Sequence, residues 1–288
     1  MSIVLGANQY GKAEVRLVRV ARSGDRHELR DLNVTVTLAG DLTDTHLTGD
    51  NALVLPTDSQ KNTVYAFARA HGVDRIEEFG LLLARHFVTG QPAIDRATVH
   101  IEEYGWQRLG PHSFQRSGGE IRTATVTCTG TRAEVEAGLT GLVLLNSTDS
   151  EFTGYVKDPY TTLPETTDRI LATAVDAHWS YRDTELDWEG AYAGARGALV
   201  DAFVGTYSRS LQQTLYAMGH QVLTDRPEIT EVRLSLPNRH HLLVDLTPFG
   251  LDNPNEVFVA TDRPYGLIEG TVRRADDGTV GPADGRGR

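Results

Sequence analysis

A short apolar run, Ala52-Leu53-Val54-Leu55, reads as a strand that stops before Thr57-Asp58-Ser59-Gln60-Lys61-Asn62-Thr63-Val64-Tyr65, where a helix begins. A helix start leaves backbone N–H groups without intrahelical partners, so an anion or the polar edge of a ring docks there. Thr57 and Asp58 also suit a helix N-cap, and ordinary capping is the plainer account of them. A threonine hydroxyl is a poor base alone, yet it passes a proton between water and a neighbouring amine or imidazole. Amines are scarce here: Lys12, Lys61 and Lys157 are the three lysines among 28 cationic residues. Lysine gives up its proton when desolvated and arginine does not, so each lysine raises the question of why arginine would not serve. Arginine bias in genome composition is the competing explanation.

Two further places carry polar groups where chemistry could occur. Gly205-Thr206-Tyr207-Ser208-Arg209-Ser210 interrupts a long helical region, and Ser210 is a good N-cap, so a second helix is predicted from about Leu211-Gln212. The alternative is one continuous helix with Gln212 in solvent. In the strand predicted over Ile229–Leu246, Val232, Leu234, Leu236, Leu242, Val244 and Leu246 share one face, and Asn238 and His240 interrupt it. Either those two side chains look into a cavity, or Pro237 ends the strand and turns them out.

The elements that must position these groups follow from periodicity. Val15–Val20 and Leu32–Leu38 alternate around the turn-like segment 22–27, which predicts a β-hairpin. Helices are predicted over roughly 58–71 and 74–88, then strands over 97–101, 121–128 and 133–145. Arg169–Trp179 reads as a strand, a helical region follows over 188–222, and strands return to Val272. Hairpin, helices, hairpin occurs twice, an α+β plan of tandem units over 1–145 and 146–274, each an antiparallel sheet with helices on one face. The tail, 275–288, has little to bury and is expected to be disordered.

Composition sets limits. The 288 residues are 40% hydrophobic, enough for a sizeable core, and the net charge of −11 opposes nucleic acid and anionic membrane. An anionic ligand would need a local cation against that field. No apolar run approaches the roughly 20 residues that span a bilayer, and no charged segment leads into an apolar one at the start. Cys128 is the single cysteine, so an internal disulfide is excluded.

Taken with Thr57–Tyr65, five more segments resemble the urate oxidase (uricase) family in order. They are Tyr10-Gly11-Lys12 with Val15-Arg16; Asp158–Arg169 with Phe152 upstream; Ser210-Leu211-Gln212; Pro237-Asn238-Arg239-His240; and Pro264-Tyr265-Gly266-Leu267-Ile268. The resemblance covers about residues 10–272. It implies a tunnelling fold (T-fold) whose two units per chain assemble into a homotetrameric barrel, with active sites between subunits. It implies oxidation of urate by O2 and water to 5-hydroxyisourate and hydrogen peroxide, with no metal or organic cofactor and O2 as co-substrate. In that likeness Arg169 and Gln212 grip the purine ring, a planar guanidinium giving two parallel hydrogen bonds and the amide one donor and one acceptor. Phe152 stacks on the ring, and the N–H groups of Leu211 and Asp58 bind substrate atoms. Lys12, Thr57 and His240 form the proton relay, and Asn238 holds oxygen or its replacement water. Asp158, Asp168 and Lys157 have no comparable case and read as structural. The ending Gly285-Arg286-Gly287-Arg288 departs from the Ser-Lys-Leu peroxisomal address of eukaryotic members and suggests a bacterial, cytoplasmic enzyme.

Two other functions compete. A metal-dependent hydrolase of pterins or purines would need a Cys/His cluster, which one cysteine disfavours. On a strand His100 and Glu102 face one way and Glu103 the other, too few ligands for a metal. A non-catalytic purine-binding barrel would show erosion at Lys12, Thr57 or His240, and none is seen.

Overall fold

The predicted hairpin forms. In a computed structural model that describes residues 2–275, β1 (Tyr10–Ser23) and β2 (Arg26–Gly40) pair antiparallel from Tyr10↔Leu38 to Ser23↔Arg26. Gly24 makes the turn at a φ of 65°, which a residue with a Cβ adopts poorly. The tail expected to be disordered lies outside the described residues from 276 onward.

The chain forms two compact units, one from residues up to Leu142 with Ser180–Tyr192, the other from Val143–Trp179 and the residues from Ala193. In the first, α1 (Thr43–Leu47), α2 (Thr57–Ala70) and α3 (Ile76–Gly90) follow the hairpin. Strands β3 (Ile94–Glu103), β6 (Ile121–Thr129) and β7 (Arg132–Asn146) extend it in the order β1-β2-β3-β6-β7, all antiparallel. A two-stranded ribbon, β4 (Trp106–Arg108) and β5 (Phe114–Arg116), stands apart. One sheet face carries Leu32, Val34, Val36, Val99, Ile101 and Val126, each fully buried, and α3 lies on β3 and β6.

In the second unit β8 (Leu171–Tyr181), β9 (Ile229–Pro237) and β12 (Leu267–Arg273) lie side by side in that order. Helices α4 (Trp188–Gly205) and α5 (Leu211–Asp225) intervene in sequence, and α5 packs on β9 and β12 through Leu211, Leu215, Met218 and Val222. The helix break is real: Ser210 caps α5 by accepting from the Gln213 N–H at 3.2 Å. The described chain is thus mixed α and β, with antiparallel strands and few helices.

Three expectations need correction. Residues 52–55 form no strand: a turn folds back from the Val54 N–H to the Asn51 carbonyl, and Leu53 is 54% exposed, with no neighbouring strand to pair. Neither Thr57 nor Asp58 caps α2. Pro56 occupies the cap position without a side-chain bond, so Thr57 is already the first helical residue. The strand over 229–246 breaks at Pro237. Val232, Leu234 and Leu236 are buried, but β10 (His240–Leu243) leaves to pair with β11 (Phe258–Thr261), and Leu242 is 56% exposed. Proline has no N–H to continue a ladder, and the apolar face ends with it.

Candidate functional site

In the first unit, a β-bulge places Lys12. The β1–β2 register runs Lys12↔Val36 and then Val15↔Val34, so Ala13 and Glu14 together oppose Thr35. Glu14 takes a φ of 56°, unusual for a residue with a Cβ, and its N–H donates to the Thr35 hydroxyl at 3.0 Å. In a regular strand Lys12 and Val15, three residues apart, would face opposite ways; the bulge lets both share the face of the buried Val34 and Val36. Gly11 is required beside it, because a Cβ there would meet the Val36 carbonyl oxygen at 1.9 Å.

That face meets the start of α2. The Tyr10 hydroxyl donates to the Leu55 carbonyl at 3.0 Å, fixing the residues that lead into Pro56 and Thr57. The fully buried Gln60 donates to the same carbonyl at 3.3 Å, and its Oε1 has no partner among the described residues. Since Thr57 does not cap, its half-buried hydroxyl and the N–H groups of Thr57 and Asp58 have no partner among the described residues; the helix's first backbone bond is Gln60 to Pro56. Asp58 faces back along α2, accepting from Lys61 at 2.5 Å and from Asn62 at 3.1 Å. Lys61 beside it holds the Asp58 carboxyl below the usual range, with a smaller contribution from Lys12. Lys12 is half-buried and makes no ion pair among the described residues.

Phe152, Arg169, Leu211, Gln212, Asn238 and His240 all belong to the second unit. Arg169 precedes β8, and its Nε donates to the Ser150 hydroxyl at 3.2 Å. Its two terminal nitrogens have no partner among the described residues, and burial pushes the guanidinium down from its usual pKa. A half-buried cation without a carboxylate is a place for an anion. The guanidinium carbon lies 5.2 Å from the Phe152 ring centre, and Tyr155 stacks on Phe152 at 4.8 Å and 16°. At the α5 start, Ser210 satisfies the N–H groups of Gln213 and Thr214, and those of Leu211 and Gln212 have no partner among the described residues; the Gln212 side chain is exposed. The Asn238 N–H bonds the Gly266 carbonyl at 2.9 Å, and Asn238 bridges to Thr173, four residues beyond Arg169. His240 opens β10 opposite Thr261, half-buried like Asn238.

The residues read as structural are engaged locally. Asp158 accepts from the Tyr160 N–H and the Thr161 hydroxyl, Lys157 pairs with Glu165 at 3.1 Å, and Asp168 accepts from Thr148. His100 contacts the Thr125 hydroxyl, while Glu102 accepts from Asn33 and Tyr104. Tyr10, Gln60, Ser150, Ser208 and Thr214 support the two clusters and were missed from sequence. The adjacency of Tyr10 to Lys12 was the one available signal.

The Uricase family model matches residues 8–127 and 135–269. A uricase of Arthrobacter globiformis is 54% identical over 274 residues, covering 94% of this chain and 90% of its own. One of Dictyostelium discoideum is 37% identical, covering 93% and 96%. The Arthrobacter globiformis uricase crystal structure superposes with a TM-score of 0.94 at 52% identity over 98% of this chain and 99% of that one. A Bacillus fastidious uricase structure gives 0.79 at 25% identity, covering 94% of each.

Proposed function

The chain belongs to the uricase family, and we infer from that membership and from the two clusters that it is a urate oxidase. Urate, O2 and water give 5-hydroxyisourate and hydrogen peroxide: two electrons leave the purine for O2, and water supplies the new hydroxyl. The observation that carries the reading is Arg169, a desolvated guanidinium beside a phenyl ring with both terminal nitrogens unpartnered among the described residues, in a chain of net charge −11. It offers a planar anion two parallel hydrogen bonds and a face to stack on.

The remaining roles extend this reading. Gln212 grips the ring edge with Arg169, and the N–H groups of Leu211 and Asp58 take substrate oxygens or ring nitrogens. Lys12, Thr57 and His240 move the proton that urate must lose before it yields an electron. Asn238 holds O2 or the attacking water. The chemistry needs no metal or organic cofactor, because the deprotonated purine is itself the reductant; the protein deprotonates and places. Each chain is read as two T-fold units, 1–145 and 146–274, and four chains as a barrel-forming homotetramer. Lys12, Thr57 and Asp58 of one chain then meet Phe152, Arg169, Leu211, Gln212, Asn238 and His240 of a neighbour. The enzyme is assigned to the cytoplasm.

The test is oxygen uptake and peroxide release on adding urate to chelator-treated protein. One O2 consumed and one peroxide formed per urate supports the reading. Absence of uptake, or uptake restored only by added metal, rejects it; binding of urate without uptake would leave a purine-binding barrel.

A further inference from the structure

Arg169 is held by a buried serine, and the loop of that serine is bridged through its backbone to the loop that caps α5. Ser150 is fully buried; its Oγ accepts from the Arg169 Nε at 3.2 Å and its carbonyl accepts from the Arg169 N–H at 2.9 Å. Ser150 runs parallel to Ser208: the Ser208 N–H bonds the Asp149 carbonyl at 2.9 Å, and the Glu151 N–H bonds the Ser208 carbonyl at 2.8 Å. Ser208, also fully buried, donates its hydroxyl to the Ser210 carbonyl at 3.1 Å and accepts from the Thr214 hydroxyl at 2.8 Å. Ser210 is the cap of α5, and Thr214 sits one turn in. Asp149 holds a φ of 57° just before Ser150, a costly conformation that persists where the surroundings enforce it.

We propose that Ser150 is a positioning residue. It fixes the plane of the Arg169 guanidinium and, through Ser208 and Thr214, sets its distance from Leu211 and Gln212. This rests on the reading of Arg169 and Gln212 as the groups that grip the purine. A guanidinium is planar, so an acceptor held at Nε fixes the direction in which both terminal nitrogens point. An arginine side chain has much rotamer freedom to lose, and Ser150 removes it before the ligand arrives.

The test is a double-mutant cycle on binding of xanthine, a dioxopurine that lacks the C8 oxygen. Ser150→Ala is expected to weaken xanthine by about tenfold in the wild-type background, the cost of a lost hydrogen bond to a charged group. In an Arg169→Lys background, whose side chain has no Nε–H to donate to Ser150, the same change should have no further effect. Equal loss in both backgrounds, or a change within about twofold in the first, overturns the proposal. Should Ser150→Ala not fold, Thr214→Val with Gln212→Ala runs the cycle from the helix end, with the same pair of outcomes. Wild-type affinity in Arg169→Lys alone would instead reject the reading of Arg169, so the two failures are distinct.

Discussion

Replacing Arg169 by lysine isolates the geometry of the guanidinium from its charge. Lysine keeps a cation at the site, so long-range attraction for an anion survives. What disappears is the fork: the Nε contact to Ser150 at 3.2 Å, and one of two parallel hydrogen bonds to the ligand. The group is half-buried and has no carboxylate to fall back on, so solvent screening does not erase the difference. A hydrogen bond to a charged group is worth about 1.5–3 kcal/mol, which is roughly a 10- to 150-fold loss of affinity. Equilibrium dialysis with xanthine measures it directly, and the Michaelis constant for urate should rise in parallel. Turnover at saturating urate should fall less, because Arg169 holds ground state and transition state alike. Xanthine affinity within twofold of wild type would refute the assignment.

Lys12→Met and Thr57→Ala should each cut turnover by at least about 100-fold while leaving xanthine binding within a fewfold, as expected of proton-moving groups; binding that collapses equally would refute the relay. Ser210→Ala should cost about 1 kcal/mol, seen as a Tm lower by a few degrees, and weaken xanthine because Leu211 and Gln212 start the helix it caps. Unchanged Tm would remove the cap from the argument. Arg122 pairs with the fully buried Glu77 at 3.1 Å and with Glu189 at 2.9 Å, so Arg122→Met should cost about 3–5 kcal/mol. Burial already holds the Glu77 carboxyl above its usual range, and losing Arg122 raises it further. A carboxyl raised on folding favours the fold below its unfolded pKa and loses that benefit as pH rises through its folded pKa. The Tm deficit should therefore be smaller at about pH 5 than at about pH 8, by calorimetry; an equal or reversed deficit would contradict it.

Much of this was legible in the residues. Alternation fixed the hairpin of β1 and β2, and Ser210 after Gly205 marked the α5 start where Leu211 and Gln212 sit. Other features depend on what lies across the fold. Ala52–Leu55 is apolar like a strand, but apolarity without a pairing neighbour gives only a turn before Pro56. Leu242 shares the parity of Leu236, yet Pro237 ends the ladder and the parity means nothing beyond it. The bulge that turns Lys12 toward α2 leaves no trace in the sequence, because Glu14 is not a residue type that announces a positive φ. Ser150, Ser208 and Thr214 are similarly silent: their spacing matches no periodicity, and only the parallel bridge between two loops brings them together. Lys12, Thr57, Arg169, Gln212 and His240 were reached through the resemblance, and polar residues near helix starts alone would not have separated them from ordinary caps.

The central claim is that one site is completed by two chains, Lys12 and Thr57 from one and Arg169 and Gln212 from its neighbour. Co-assembling Thr57→Ala chains with Arg169→Met chains tests it most directly. Each variant alone should be nearly inactive. In a random mixture of equal amounts, about one quarter of the sites combine two unaltered halves, and urate-dependent oxygen uptake should recover to about that fraction of wild type. A mixture that stays as inactive as its parents would place both halves in a single chain and contradict the claim.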